Sequence, residues 1–221
     1  MTVALAPWHT GLESILAGSI YAAPSGSRID AARALVAAGI SVHVDVMAPG
    51  EGLPTGIDAA ELAELVQVVP QPMLGIHLIG SAAGVRMMLP TIPDCGDLYV
   101  PIGIRDERNC RFWAAVWDEF DDTPPTTEDL QGYHGVLVML LEPGTSGTAD
   151  PDRLESVRTF SAHGDVTVDG GVTPDLIPRC RSAGATTLVV GRALLTDHSL
   201  PEGQSSPPPH PHLPHRRCAR A

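Results

Sequence analysis

Short apolar runs recur along this 221-residue chain, most of them spaced so that a helix fits before the next. The runs occupy residues 15–22, 41–47, 73–79, 98–104, 112–117, 135–141, 165–171 and 186–191. Each is short, rich in β-branched or aliphatic residues and bounded by glycine or proline, which predicts strands. Between them, residues 30–38, 57–69, 81–89, 151–160 and 173–182 carry apolar residues at helical spacing or helix-end signals such as Gly39. Strands that alternate with helices pack as a parallel sheet, and about eight of them favour a closed barrel over an open sheet. Residues 135–141 are apolar without interruption, as expected of a parallel strand buried on both faces. The glycines follow the strands, at what becomes the C-terminal rim of a barrel.

One interval breaks the pattern. Only a few residues separate 98–104 from 112–117. A parallel crossover ordinarily needs a dozen or more. Either a helix is missing there or one of the two strands is misassigned, and Pro101 weakens the first. Residues 121–133 are expected to hold a turn at Thr123-Pro124-Pro125 and then a short helix, and Arg192–Leu195 to open a short last helix. Three segments are thus expected: a loose N-terminal arm over 1–14, the barrel over 15–197, and a solvated tail over 198–221. That tail is dominated by proline, by His210, His212 and His215, and by Arg216-Arg217.

The net charge of −12 argues against nucleic acid and anionic membrane as partners. An anionic substrate would have to be attracted locally, by backbone N–H groups, a metal or a placed arginine. All 14 basic residues are arginine. Without lysine there is no Schiff-base aldolase chemistry and no P-loop. Cys95, Cys110, Cys180 and Cys218 have no zinc-knuckle spacing and read as free thiols. No apolar run is long enough to span a membrane, and the first residues lack a secretion signal, so a cytoplasmic location is expected.

Chemistry concentrates in the strands. Along 41–47, His43, Asp45 and Met47 share one face, and Val42, Val44 and Val46 the other. An imidazole and a carboxylate on an apolar strand both need partners. A metal ion is one solution and a buried His–Asp hydrogen bond is another. His77 lies within 73–79, and Asp169 ends the run 165–169 before Gly170-Gly171. Two histidines and two aspartates from three strands, all aimed inward near the rim, make a ligand set for one divalent ion such as Zn, Fe or Mn.

At this point the chain resembles the ribulose-phosphate 3-epimerase family of TIM barrels. The resemblance rests on Gly18-Ser19-Ile20, His43-Val44-Asp45-Val46-Met47, Ile76-His77-Leu78, Val136-Leu137-Val138-Met139 with Glu142-Pro143-Gly144, Val168-Asp169-Gly170-Gly171, and Ala183-Gly184-Ala185 leading to Val190-Gly191. It spans roughly residues 15–196. It implies an α/β fold, a (β/α)8 TIM barrel of ribulose-phosphate-binding type, with a missing or reduced helix between strands four and five and a short last helix. It implies that His43, Asp45, His77 and Asp169 hold one metal. Asp45 and Asp169 would move protons on opposite faces of a phosphorylated ketose, most simply D-ribulose 5-phosphate going to D-xylulose 5-phosphate through a metal-stabilised enediolate. Ser19 and His77 would lie near that small phosphorylated sugar. Gly144, Thr145, Ser146, Gly147, Gly170, Gly171, Gly191 and Arg192 would bind its phosphate, although simple turn geometry also explains the glycines. Met47 and Met139 match residues lining the cavity, a place that packing explains equally well.

The sequence departs from the family in three places. Ala48-Pro49 stands where the family has Asp-Gly. Thr145-Ser146-Gly147-Thr148 replaces an aromatic and paired glycines, and Arg192 replaces a serine. The shortened stretch after strand four is expected to expose apolar barrel surface, which a partner subunit such as a homo-oligomer would cover. Two other functions stay open: an epimerase for a related ketose phosphate, and a non-catalytic barrel that binds a sugar phosphate or a partner protein.

Overall fold

The structure, a computed structural model, describes residues 3–117, 125–145 and 147–197. In chain order its elements are β1 (Val3–Leu5), β2 (Leu16–Ser19), α1 (Arg28–Ala37), β3 (Ser41–Met47), α2 (Ala59–Val68), β4 (Leu74–Ile79), α3 (Ala82–Met88), β5 (Asp97–Pro101), β6 (Arg111–Val116), β7 (Gly135–Met139), α4 (Leu154–Ser161), β8 (Asp165–Asp169), α5 (Ile177–Ser182), β9 (Thr187–Val190) and β10 (Leu195–Asp197). Strands β2 to β9 close into an eight-stranded barrel, and every neighbouring pair in it is parallel. This is the expected TIM barrel.

Local chemistry sets the helix ends. Gly39 follows α1 at φ +74°, a left-handed conformation that glycine adopts without a Cβ penalty. Asp58 caps α2 by accepting from the Glu61 N–H at 2.8 Å, and Ser81 caps α3 through Gly84 N–H at 3.1 Å. The core outside the barrel lies between strands and helices. Val42, Val44, Leu74, Ile76, Leu98, Val100, Val136, Val138, Val166, Val168, Leu188 and Val190 point into it. Leu35 of α1 lies directly over Gly18, where a Cβ would collide with it.

Both strands around the short interval are real. β5 and β6 pair from Asp97↔Arg111 to Pro101↔Ala115, and residues 102–110 join them without a helix. The missing helix is therefore the correct alternative. The segment is held by Arg108, whose guanidinium donates to the carbonyls of Leu89 (2.7 Å) and Ile92 (3.0 Å) and to Asp106. Tyr133 fixes its start, accepting from Gly103 N–H at 2.8 Å, with Arg105 over its ring at 5.1 Å. The expected exposure of apolar barrel surface is not found. Leu98, Val100, Phe112 and Val116 are all buried, and Met87 is the one exposed large hydrophobic residue among those described.

Three other expectations change. Residues 127–132 form turns instead of a short helix, while 118–124 lie outside the described residues. Residues 192–194 turn, and 195–197 form β10 where a last helix was expected. The first residues are not a loose arm. β1 pairs antiparallel with β10, and the Trp8 indole donates to Ala193 O at 2.9 Å. Val3–Leu5 and Leu195–Asp197 satisfy each other's backbone groups across this pairing. The tail over 198–221 lies outside the described residues.

Candidate metal centre at the barrel mouth

The alternation of side chains along β3, β4 and β8 decides what faces the barrel interior. His43 and Asp45 point inward from β3, His77 from β4 and Asp169 from the end of β8. Register brings them to one level: Asp45 is the Cα partner of His77, and Asp169 that of Met139. One ligand atom from each of His43, Asp45, His77 and Asp169 lies within 4.8 Å of all the others. All four residues are buried, His43 at 1% exposure and Asp169, the most open, at 9%.

Distances discriminate between a hydrogen-bonded pair and a ligand set. His43 Nε2 is 3.3 Å from Asp45 Oδ1 and 3.5 Å from Asp169 Oδ2, and His77 Nδ1 is 3.3 Å from Asp45 Oδ1. None of these makes a hydrogen bond, and His43 Nδ1, His43 Nε2 and His77 Nδ1 are buried without a hydrogen-bond partner. Leaving such groups unpaired is costly. Ligands about 2.1 Å from a common tetrahedral ion stand about 3.4 Å apart. The residues present therefore fit one divalent ion better than they fit one another.

The second oxygen of each carboxylate is held away from the cluster. The Ser19 hydroxyl donates to Asp45 Oδ2 at 3.3 Å, and Gly170 N–H donates to Asp169 Oδ1 at 2.6 Å. The two acids differ electrostatically. Burial alone would raise Asp45, but the adjoining His43 and His77 outweigh it and hold the carboxyl well below its usual range. Burial raises Asp169, and Asp45 adds to the rise, so its carboxyl sits above the ordinary value despite His43. For His43, burial pulls down, yet Asp45 and Asp169 prevail and the imidazole is raised.

Beneath the cluster lies an aromatic floor that sequence reasoning did not single out. The Tyr99 ring sits 5.2 Å from that of His43, 6.2 Å from that of His77 and 5.6 Å from that of Trp113. Burial raises the Tyr99 hydroxyl far above its usual value, so it stays protonated. Period-two alternation along 98–100 would have revealed it, because Leu98 and Val100 face outward and leave Tyr99 inside. Met139 joins Tyr99, Trp113 and Leu137 in the same interior packing, and Met47 lies against Gly56.

Above the cluster runs the altered loop after β3. It leaves with Ala48 N–H on Ile79 O at 2.8 Å and returns with Ile57 N–H on Asp45 O at 2.9 Å. Glu51 ties it to the start of α3, accepting from Ser81 N–H at 2.7 Å and from the Ser81 hydroxyl at 2.5 Å. Farther along, Pro54 approaches Gly144 so closely that a Cβ there would lie 3.2 Å from Pro54 Cδ. Gly144 follows β7, the strand opposite β3 in the closed order. The loop thus crosses the barrel mouth.

The residues expected around a phosphate are only partly gathered. Arg192 Nη2 donates to Gly147 O at 3.3 Å, which joins those two at the rim. Gly170 and Gly171 take φ +98° and +68° against the backbones of Leu141 and Ala149, and Gly191 fits against Ala22, so close packing already requires a glycine at each. The Thr145 hydroxyl donates to Glu142 O at 2.7 Å. Ser146 lies outside the described residues.

Comparison with known proteins supports the same reading. The Ribulose-phosphate 3 epimerase family matches residues 125–195, which bears out the resemblance over that segment and points to an isomerase or epimerase. Among solved structures, phosphoribosyl anthranilate isomerase from Thermococcus kodakaraensis superposes with a TM-score of 0.54 at 10% identity, over 81% of this chain and 89% of its own. The same enzyme from Thermus thermophilus gives 0.52 at 11%, over 81% and 88%. At such identities these two speak for the barrel alone.

Proposed function

We propose that this chain is a metal-dependent epimerase that inverts C3 of a phosphorylated ketose, with D-ribulose 5-phosphate as the default substrate. One observation carries the reading. Two buried imidazole nitrogens, His43 Nε2 and His77 Nδ1, lack hydrogen-bond partners, and they stand with two carboxylates at the spacing of ligands around one ion.

His43, Asp45, His77 and Asp169 would hold the ion, through the atoms that already face one another. A bound divalent ion would supply Lewis-acid stabilisation of the negative charge that develops on the substrate oxygens. The rest is work for the chain. A C3–H bond next to a ketone is a weak acid, so it needs a base and later an acid of matched strength. Asp45, held ionised, takes the proton at Oδ2, the oxygen shared with Ser19. Asp169 returns a proton to the opposite face of C3 from Oδ1, the oxygen turned to the Gly170 N–H. Arg192 and the backbone N–H groups at Gly147 and Gly171 are proposed to take the phosphate. The loop across the mouth excludes water, and its changed sequence favours a second reading in which the preferred ketose phosphate is a relative of ribulose 5-phosphate.

Metal analysis combined with solvent-deuterium exchange at C3 tests the proposal. The chain should bind about one divalent ion and exchange deuterium into C3 of ribulose 5-phosphate. Asp45→Asn or Asp169→Asn should lower exchange roughly a thousandfold. Metal binding without exchange on any ketose phosphate would reject the catalytic reading. Exchange on another ketose phosphate alone would reject the default substrate.

A further inference from the structure

Outside the barrel wall, away from the polar cluster, the start of β5 and the start of β6 bring two cysteines together. Cys95 precedes Gly96, and Cys110 precedes Arg111. The Arg111 N–H donates to Gly96 O at 3.0 Å, so the residues beside each cysteine are already joined across the two strands. Both side chains belong to the outer core, Cys95 fully buried and Cys110 partly open to solvent. Their two thiols neighbour each other, with the Arg108 guanidinium alongside. Arg108 cannot readily leave, since it holds the Leu89 and Ile92 carbonyls and both Asp106 oxygens.

We propose that Cys95 and Cys110 form a redox-active dithiol, in which Cys110 reacts with a hydroperoxide and Cys95 resolves the product into an intramolecular disulfide. Their surroundings divide the roles. Cys110 is the more open of the two and stands beside Arg108, whereas Cys95 is buried. A thiolate that is accessible and beside a cation is the reactive partner. With hydrogen peroxide, the Cys110 thiolate attacks one oxygen. An S–O bond forms, the O–O bond breaks, and hydroxide leaves to become water. Cys95 sulfur then attacks the Cys110 sulfenic acid. The S–S bond forms, the S–O bond breaks, and the departing hydroxide takes the Cys95 proton as a second water. Sulfur is oxidised and peroxide oxygen reduced, one disulfide per peroxide. The bond would staple residues 95 and 110 across the helix-free crossover, where no other covalent link stands.

The full chain decides the matter directly. After brief treatment with a small excess of hydrogen peroxide, alkylation in denaturant and cleavage at arginine, peptide 87–105 should be found disulfide-linked to peptide 109–111. Dithiothreitol should abolish the link. Cys95→Ser should leave Cys110 as a sulfenic acid trapped by dimedone, and Cys110→Ser should leave Cys95 alkylatable. Recovery of both thiols unlinked would overturn the proposal, as would pairing of Cys110 with Cys180 or Cys218 instead.

Discussion

The two halves of the barrel interior are built on opposite terms. Strands β3, β4 and β8 aim His43, His77, Asp45 and Asp169 inward, and leave imidazole nitrogens buried without hydrogen bonds. Strands β5, β6 and β7 fill the space beside them with Tyr99, Trp113, Leu137 and Met139. The polar half keeps a helix after each of its strands, whereas β5 is followed by a pinned segment alone. A set of buried polar groups costs stability until a ligand satisfies it. Large aromatic side chains recover stability, and Trp113 further ties the floor by donating to Asp97 at 2.6 Å. The packed half supports the polar half, with Tyr99 as the joint between them.

The largest test of that division is Trp113→Ala. Removing a 4%-exposed indole from the floor should cost about 3–5 kcal/mol in urea unfolding. A loss below about 1 kcal/mol would mean that this half does not carry the barrel.

A smaller effect should change sign with metal. In the metal-free chain, the raised Asp169 and His43 both favour the folded state in their protonated forms. Their stabilisation is complete below the unfolded values, near 3.8 for Asp169 and 6.5 for His43, and is lost as pH rises through the folded ones. Asp45 runs the other way, lost only when pH falls below 3.8. From pH 5 to 8 the metal-free cluster should therefore lose stability. With manganese or zinc saturating, the same protons must leave, so affinity should rise about tenfold per pH unit for each proton displaced. Thermal unfolding and proton release on metal addition would measure both, and a pH-independent affinity would contradict the ligand set.

The smallest expected effect concerns the loop over the mouth. Glu51→Gln weakens its tie to Ser81 without touching the cluster. Amide exchange at residues 50–53 and 81 should quicken several-fold, roughly, while the unfolding midpoint holds. Unchanged exchange would show that the tie from Glu51 to Ser81 does not hold the loop in place.

Much of this was legible in the residues. The interval between apolar runs called for a barrel, and alternation within 41–47 put His43 and Asp45 on one face. Ser41–Met47 is a strand over the same bounds. Apolar spacing over 57–69 and 81–89 announced the helices that became α2 and α3. What could not be read depended on partners distant in sequence. Nothing in Val3–Leu5 says that it will find Leu195–Asp197, and nothing in Glu51 names Ser81. Nor could composition tell whether the short crossover would be left bare, because Arg108 closes it through carbonyls of a different segment.

The residues by themselves determined the layered fold and which side chains face inward, since both follow from periods of 2 and 3.6 along the chain. Only the tertiary structure decided how His43, Asp45, His77 and Asp169 stand toward one another. Spacings of 3.3–3.5 Å, misaligned for hydrogen bonds and right for an ion, arise from the register and closure of the barrel, which no single strand contains.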